Sequence, residues 1–199
     1  MSHTTRRWFI AALLAGTPMV LMGVAALVVY AGIYDIAADE PHSQPVFWVM
    51  QMVRDRSIAA HATEAVPVDL SEPKRIASGA AQYEEMCSTC HLAPGMKRTE
   101  ISWGLYPRAP ELRRRSQLTP AEQFWIVKHG IKLTGMPSWG VTHDDELLWD
   151  IVAFLRKMPE LTTDEYQALV RGASKTHEEM MQEMEMRGDH DHAEHHDQQ

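Results

Sequence analysis

The chain has 199 residues, a net charge of −8, two cysteines, 13 methionines and 11 histidines. The charge is uneven: residues 1–70 carry a net −2, residues 71–171 are neutral and residues 172–199 carry −6, which excludes the basic surface that a nucleic-acid partner needs. Setting aside an apolar N-terminus and an acidic tail leaves about 100 residues, enough for one domain rather than a large enzyme, and no internal repeat is present.

Residues 1–7 include Arg6 and Arg7 and read as a cytoplasmic N-terminus. From Trp8 to Tyr34 there are 27 residues without a charge; as a helix this segment is about 40 Å long, against a hydrocarbon core of about 30 Å. The expectation is one transmembrane anchor over 8–34. Arginines before it and Asp35, Asp39 and Glu40 after it place the rest outside the cytoplasm by the positive-inside rule. A signal peptide cleaved near Val24-Ala25-Ala26 is the competing reading, but LVVYAGIY continues apolar beyond that point. TTRRWFI also has the look of a twin-arginine signal, although simple topology charges explain it. The expected location is a bacterial inner membrane, crossed once, with the domain in the periplasm and the bilayer as a partner.

Residues 35–70 are expected to hold an amphipathic segment and a linker. VFWVMQMVRDRSIAAHA, 46–62, puts Val46, Val49, Met50, Val53 and Ile58 near one face with Phe47 and Trp48 beside it. Such a helix suits the headgroup region or a face of the domain or of a partner subunit, and the sequence leaves both open. The prolines of 62–73 mark the linker.

A domain is expected over 71–171. Ser71 reads as the N-cap of a helix with Pro73 early in its first turn that runs to Met86, with Gly79, Tyr83 and Cys87 recurring every four residues on one face. Then comes Cys87-Ser-Thr-Cys90-His91. Three chemistries use two thiols at this spacing. Zinc needs a second ligand pair, and His129 and His143 stand apart without forming one. A redox dithiol sits where a strand enters a helix, whereas the preceding segment reads as helix. Covalent haem attachment uses both thiols and the adjacent imidazole, and CxxCH is its signature. One covalently attached haem c is therefore the expected cofactor. Further on, Thr119 and Glu122 around Pro120 form a capping box for a helix over 118–130 that ends at Gly130. A last helix over 144–158 places Leu147, Leu148, Ile151, Phe154, Leu155 and Met158 on an apolar face. No strand pattern competes, so the expected class is all-α.

These motifs, with APEL around Pro110 and Leu112, IKLTGMPSWG around Met136, and Ile151 and Phe154 in the final helix, resemble a class I c-type cytochrome over residues 71–160. The resemblance implies that the first and last helices cross, with Tyr83 against Ile151 and Phe154. It implies that Cys87 and Cys90 form the haem thioethers, that His91 binds the iron with its second nitrogen on the Pro110 carbonyl, and that Met136, between Gly135 and Pro137, is the opposite ligand, with Met96 as its rival. His129 and His143 are read as surface or supporting residues. Leu112, Leu118, Phe124, Trp125 and Trp139 are expected to wall the haem pocket, with Trp125 or Trp139 donating to a propionate or simply packing. Arg113, Arg114 and Arg115 read as a solvated run, with propionates or an acidic partner as the alternative. Two strong axial ligands leave no open iron site, so the expected role is an electron carrier rather than an enzyme, with no catalytic residues. Its partners would be redox proteins or respiratory enzyme subunits. A haem enzyme or gas sensor with a displaceable ligand, or a copper-handling protein, are the alternatives.

The tail, 172–199, is expected to be a Met/His-rich acidic extension, largely disordered after a short helical stretch. Met180, Met181, Met184 and Met186, followed by His190, His192, His195 and His196, are donors that suit copper.

Overall fold

The computed structural model describes the backbone of residues 3–184 and 186, and the side chains of these except residues 3, 4, 9 and 11–13. It divides into two compact units, Met1–Glu40 and Pro41–Gln199. Among the described residues every regular element is helical, the all-α class expected.

The first unit is one long helix, α1, His3–Tyr30. Leu14, Met19, Val20, Leu21, Met22, Val24, Leu27 and Val29 are all exposed. Because several of these positions are consecutive, no single polar face remains. Among the described residues no helix is long and apolar enough to cross a membrane. Phe9 and residues 11–13, inside the expected anchor, lie outside the described side chains.

The second unit holds α2 (Gln44–His61), α3 (Pro73–Met86), α4 (Ser88–His91), α5 (Glu100–Gly104), α6 (Pro120–His129), α7 (Asp145–Lys157) and α8 (Thr163–Gly172). α3 starts one residue later than its sequence reading: Glu72, not Ser71, is the N-cap, and its side chain makes no capping bond. Proline at the first helical position explains this, since the residue before a proline is held extended and so takes the cap geometry. α6 has the expected capping box, with Glu122 N–H on Thr119 Oγ1 at 3.2 Å and Thr119 N–H on Glu122 Oε2 at 2.7 Å.

The core forms where α3 crosses α7. A Cβ on Gly79 would lie 1.9 Å from the Asp150 carbonyl oxygen and 2.9 Å from Phe154 Cβ, so the two backbones touch and only glycine fits. All six apolar residues expected on α7 are buried, and Trp149, Val152 and Ala153 are buried with them. The helix is enclosed on more than one side because α6 and α8 also pack against it or its partner α3. α8 was not foreseen. Its Tyr166 sits against Phe154, ring centres 5.9 Å apart, and its hydroxyl donates to Glu84.

α2 lies on the domain as well. Ile58 is buried, His61 meets Trp125 with ring centres 6.0 Å apart, and His42 N–H, just before the helix, donates to Tyr106 Oη at 2.9 Å. The face with Trp48, Val49, Met52 and Val53 stays exposed.

The short helical stretch expected at Glu178–Met186 has its counterpart in the structure. Residues 177–184 are helical, and Met180 is buried in a second small cluster with Ala81 and Leu147, against which Met184 packs. This part of the tail has something to bury because α3 and α7 present an apolar edge to it. His190, His192, His195 and His196 lie outside the described residues.

Candidate functional site

The Cys87–His91 turn is built by the end of α3. Cys87 closes that helix with its N–H on Tyr83 O at 2.9 Å, and its own carbonyl starts the next turn by accepting from Cys90 N–H at 3.2 Å and His91 N–H at 2.9 Å. Both thiols are free, with Cys87 buried and Cys90 half-buried. Burial first, then the neighbouring Cys90, pushes the Cys87 thiol up to about 12, so it stays protonated until it reacts.

Three side-chain bonds lock the turn in place. Ser88 Oγ donates to Glu84 O at 2.6 Å, Thr99 Oγ1 at the start of α5 donates to Thr89 O at 2.5 Å, and Tyr83 Oη donates to Leu92 O at 2.5 Å. Tyr83 is fully buried, and its ring lies 5.2 Å from that of Phe154. The crossing of α3 and α7 therefore holds the residue that follows His91.

His91 Nδ1 lies 2.8 Å from Pro110 O, the carbonyl expected for it. A carbonyl only accepts, so Nδ1 carries the proton and Nε2 keeps its lone pair. Burial, opposed by the Pro110 bond, lowers the pKa of this ring, which favours the neutral form that a metal needs.

Met136 is half-buried in a loop that closes on itself. Met136 O accepts from Ile131 N–H at 3.2 Å, and Met136 N–H donates to Thr134 Oγ1 at 3.1 Å. Gly130, with φ +65°, admits the approach: a Cβ there would lie 2.6 Å from the Pro137 carbonyl group. The loop is thus fixed at both ends of the Gly135-Met136-Pro137 segment, while the rival Met96 is exposed.

The expected wall divides. Phe124 is fully buried and stacks on Trp149 with ring centres 4.1 Å apart, and Leu112 and Trp139 pack on the main core. Trp125 points elsewhere, between His61 and His129, the latter 5.1 Å away. Adjacent residues on a helix cannot share one face, so Phe124 takes the core and Trp125 the α2 side. The arginine run is ion-paired: Arg113 and Arg114 reach Glu111 at 3.0 and 3.7 Å, and Arg115 reaches Glu160 at 3.2 Å. Sequence reasoning also missed Arg75, which pairs with Asp69, Glu146 and Asp150 at 2.8–2.9 Å and ties the linker and α3 to α7.

Two thiols on one turn, a neutral imidazole with Nε2 free and a thioether presented by a fixed loop form a donor set that fits a covalently held haem. No carboxylate is among them. Residues 74–155 match the family model described as cytochrome C oxidase, cbb3-type, subunit III. No curated protein and no solved structure matches the chain.

Proposed function

Residues 74–155 form a class I c-type cytochrome domain that carries covalently bound haem c, and from that premise we propose a membrane-anchored, periplasm-facing electron carrier that serves a respiratory oxidase as subunit or shuttle. Cys87 and Cys90 would hold the haem through their sulfurs, and His91 Nε2 and the Met136 thioether would be its iron ligands. Haem supplies a one-electron Fe(III)/Fe(II) couple when so held, and a thioether ligand raises its potential. Pro110 orients the imidazole and fixes its tautomer. Leu112, Phe124 and Trp139 keep water from the interior beside it, which favours the less charged ferrous state. With His91 and Met136 both serving as iron ligands, the group would exchange electrons rather than bind a substrate.

The observation that carries this reading is the 2.8 Å contact of His91 Nδ1 with Pro110 O, directly after the two cysteines. The anchor is supported by the exposed apolar side chains of α1 within an uncharged stretch of 27 residues, and by the arginines before it. The outer face of α2, with its Trp48, suits the headgroup layer that follows such an anchor. The oxidase partner is supported by the family description alone.

The test is retention of haem by the polypeptide after denaturation and acidic organic extraction, lost in Cys87→Ala/Cys90→Ala, with a one-electron redox titration of the native protein. Extractable haem sinks the cytochrome c assignment. Carbon monoxide binding by the native ferrous protein moves the reading to a haem enzyme or gas sensor. Detergent solubilisation followed by identification of co-purifying subunits tests the oxidase role.

A further inference from the structure

One side of α2 holds it to the haem domain. Ile58 is 4 % exposed, and His61 lies against Trp125 of α6 with ring centres 6.0 Å apart. Phe47 and Gln51, on the same side at helical spacing from Ile58, are half-buried. At the start of the helix, His42 N–H donates to Tyr106 Oη at 2.9 Å. These contacts fix the rotation of α2 about its own axis, and so they decide what its other side presents.

On that side Val49, Met52, Val53, Arg56 and Ala60 are all exposed, and their spacing puts them on one stripe. Trp48, 62 % exposed, stands one turn before Met52 and widens it. A helix packed on its domain by one side ordinarily turns polar residues outward; this stripe instead carries large apolar side chains and a single charge. Among the described residues Arg56 has no acidic partner, and the adjacent Asp55 is taken by Arg54 at 2.7 Å. A dry contact with a second copy of α2 or with another apolar helix would bury the guanidinium without a counter-charge, which is costly. A bilayer surface satisfies the same pattern: the apolar side chains and the indole reach the acyl boundary, the arginine stem lies along them, and its planar fork meets phosphate oxygens. The acids Asp35, Asp39 and Glu40 precede the helix and are not on the stripe. From Tyr34, where the uncharged stretch ends, to Gln44, where α2 begins, the chain spans at most about 36 Å, so an anchored α1 keeps α2 beside the surface from which the chain emerges.

We propose that α2 is a two-sided mount: its outer stripe beds in the phospholipid headgroup layer, with Trp48, Val49, Met52 and Val53 toward the acyl chains and Arg56 on a lipid phosphate, while its inner side carries the haem domain. The bilayer then fixes the orientation of the domain, whose α6 side, with Trp125, is turned toward the membrane. This rests on the membrane anchor proposed above and is independent of the redox partner.

The test uses full-length, haem-loaded protein in vesicles of phosphatidylethanolamine and phosphatidylglycerol. With both native cysteines committed to haem, Met52→Cys takes a nitroxide label on the stripe, and separate Val20→Cys and Glu72→Cys proteins label the anchor and the linker. Spin relaxation then compares collisions with oxygen, which concentrates in lipid, and with a nickel chelate confined to water. An excess of oxygen over nickel is expected at position 52 as at position 20, with the reverse at position 72. Val49→Asp/Val53→Asp should turn position 52 over to nickel while the label at position 20 and the haem spectrum stay unchanged, which shows that the stripe itself holds the helix in lipid and that the domain is intact. Nickel access at position 52 with oxygen at position 20 overturns the proposal and leaves the anchor standing; nickel access at both overturns the two together. Poor access of both probes at position 52 means that protein covers the stripe, and it too overturns the proposal, as does an oxygen excess there that Val49→Asp/Val53→Asp leaves in place.

Discussion

Gly79→Ala tests whether contact between α3 and α7 is the structural centre of the domain. A methyl group there meets the Asp150 carbonyl oxygen at 1.9 Å, its carbon at 2.5 Å and Phe154 Cβ at 2.9 Å. Ordinary contact begins at about 3.5 Å, so the helices must part by well over 1 Å. The obstacle is backbone, which cannot rotate away. Overpacking of this kind costs about 1–3 kcal/mol and occasionally more, and separating α3 from α7 also loosens the Tyr83–Phe154 contact, so we take the upper end. Alanine in place of a helical glycine returns about 1 kcal/mol. The net loss is then about 2 kcal/mol, or about 8–16 °C in Tm for a domain of this size. Thermal melts followed by far-UV circular dichroism and by the haem absorption read it directly. Gly172→Ala is the control, since nothing lies within 4 Å of a Cβ there; it should be neutral or slightly stabilising. A Gly79→Ala protein that melts at or above the parent temperature refutes the close crossing.

Met136→Ala should remove the long-wavelength charge-transfer band of methionine on ferric iron, lower the potential and admit carbon monoxide; an unchanged spectrum moves the ligand to Met96. Tyr83→Phe keeps the ring but strips Leu92 O of its 2.5 Å partner, and should cost about 1–3 kcal/mol in denaturant titrations while haem stays attached; a cost under about 0.5 kcal/mol refutes the role given to that bond. Glu165 is held below its ordinary 4.5 by the Thr162 backbone N–H first and then the Thr162 hydroxyl. A carboxylate with a depressed folded pKa contributes stability fully above 4.5 and loses it as the pH falls through the lower folded value. Glu165→Gln should therefore flatten the acid limb of stability against pH, and a limb of unchanged steepness counts against the cap.

What the sequence made legible is local. The Cys87–His91 turn, the Thr119–Glu122 box and the apolar face of α7 are each written within about a dozen residues, and each holds in the structure. The same kind of signal was present in Thr162-Thr-Asp-Glu165 and would have announced α8, which the sequence reading left without an element inside the domain. Neighbouring aromatic residues on a helix give no sign of which faces the core, and the contact of Trp125 with His61 comes from α2, which arrives from more than sixty positions upstream. Arg75 and its partners Glu146 and Asp150 are separated by 71 and 75 positions. Pairings of this range depend on the tertiary crossing, which no local pattern encodes.

That crossing also bears on the redox role. The backbone on both sides of His91 is anchored to the same helix pair: Cys87 through the end of α3, and Leu92 through Tyr83, whose ring rests on Phe154 of α7. The imidazole itself is held from a third direction by Pro110 O. Under the proposed ligation both protein donors, a neutral imidazole and a thioether, would be uncharged and would keep their protonation. The His91 proton stays on Nδ1, because the Pro110 carbonyl can only accept it. Under that proposal, a ligand fixed in position and in protonation would need little rearrangement during electron transfer. The Thr134 and Ile131 bonds hold the Met136 loop under a similar restraint.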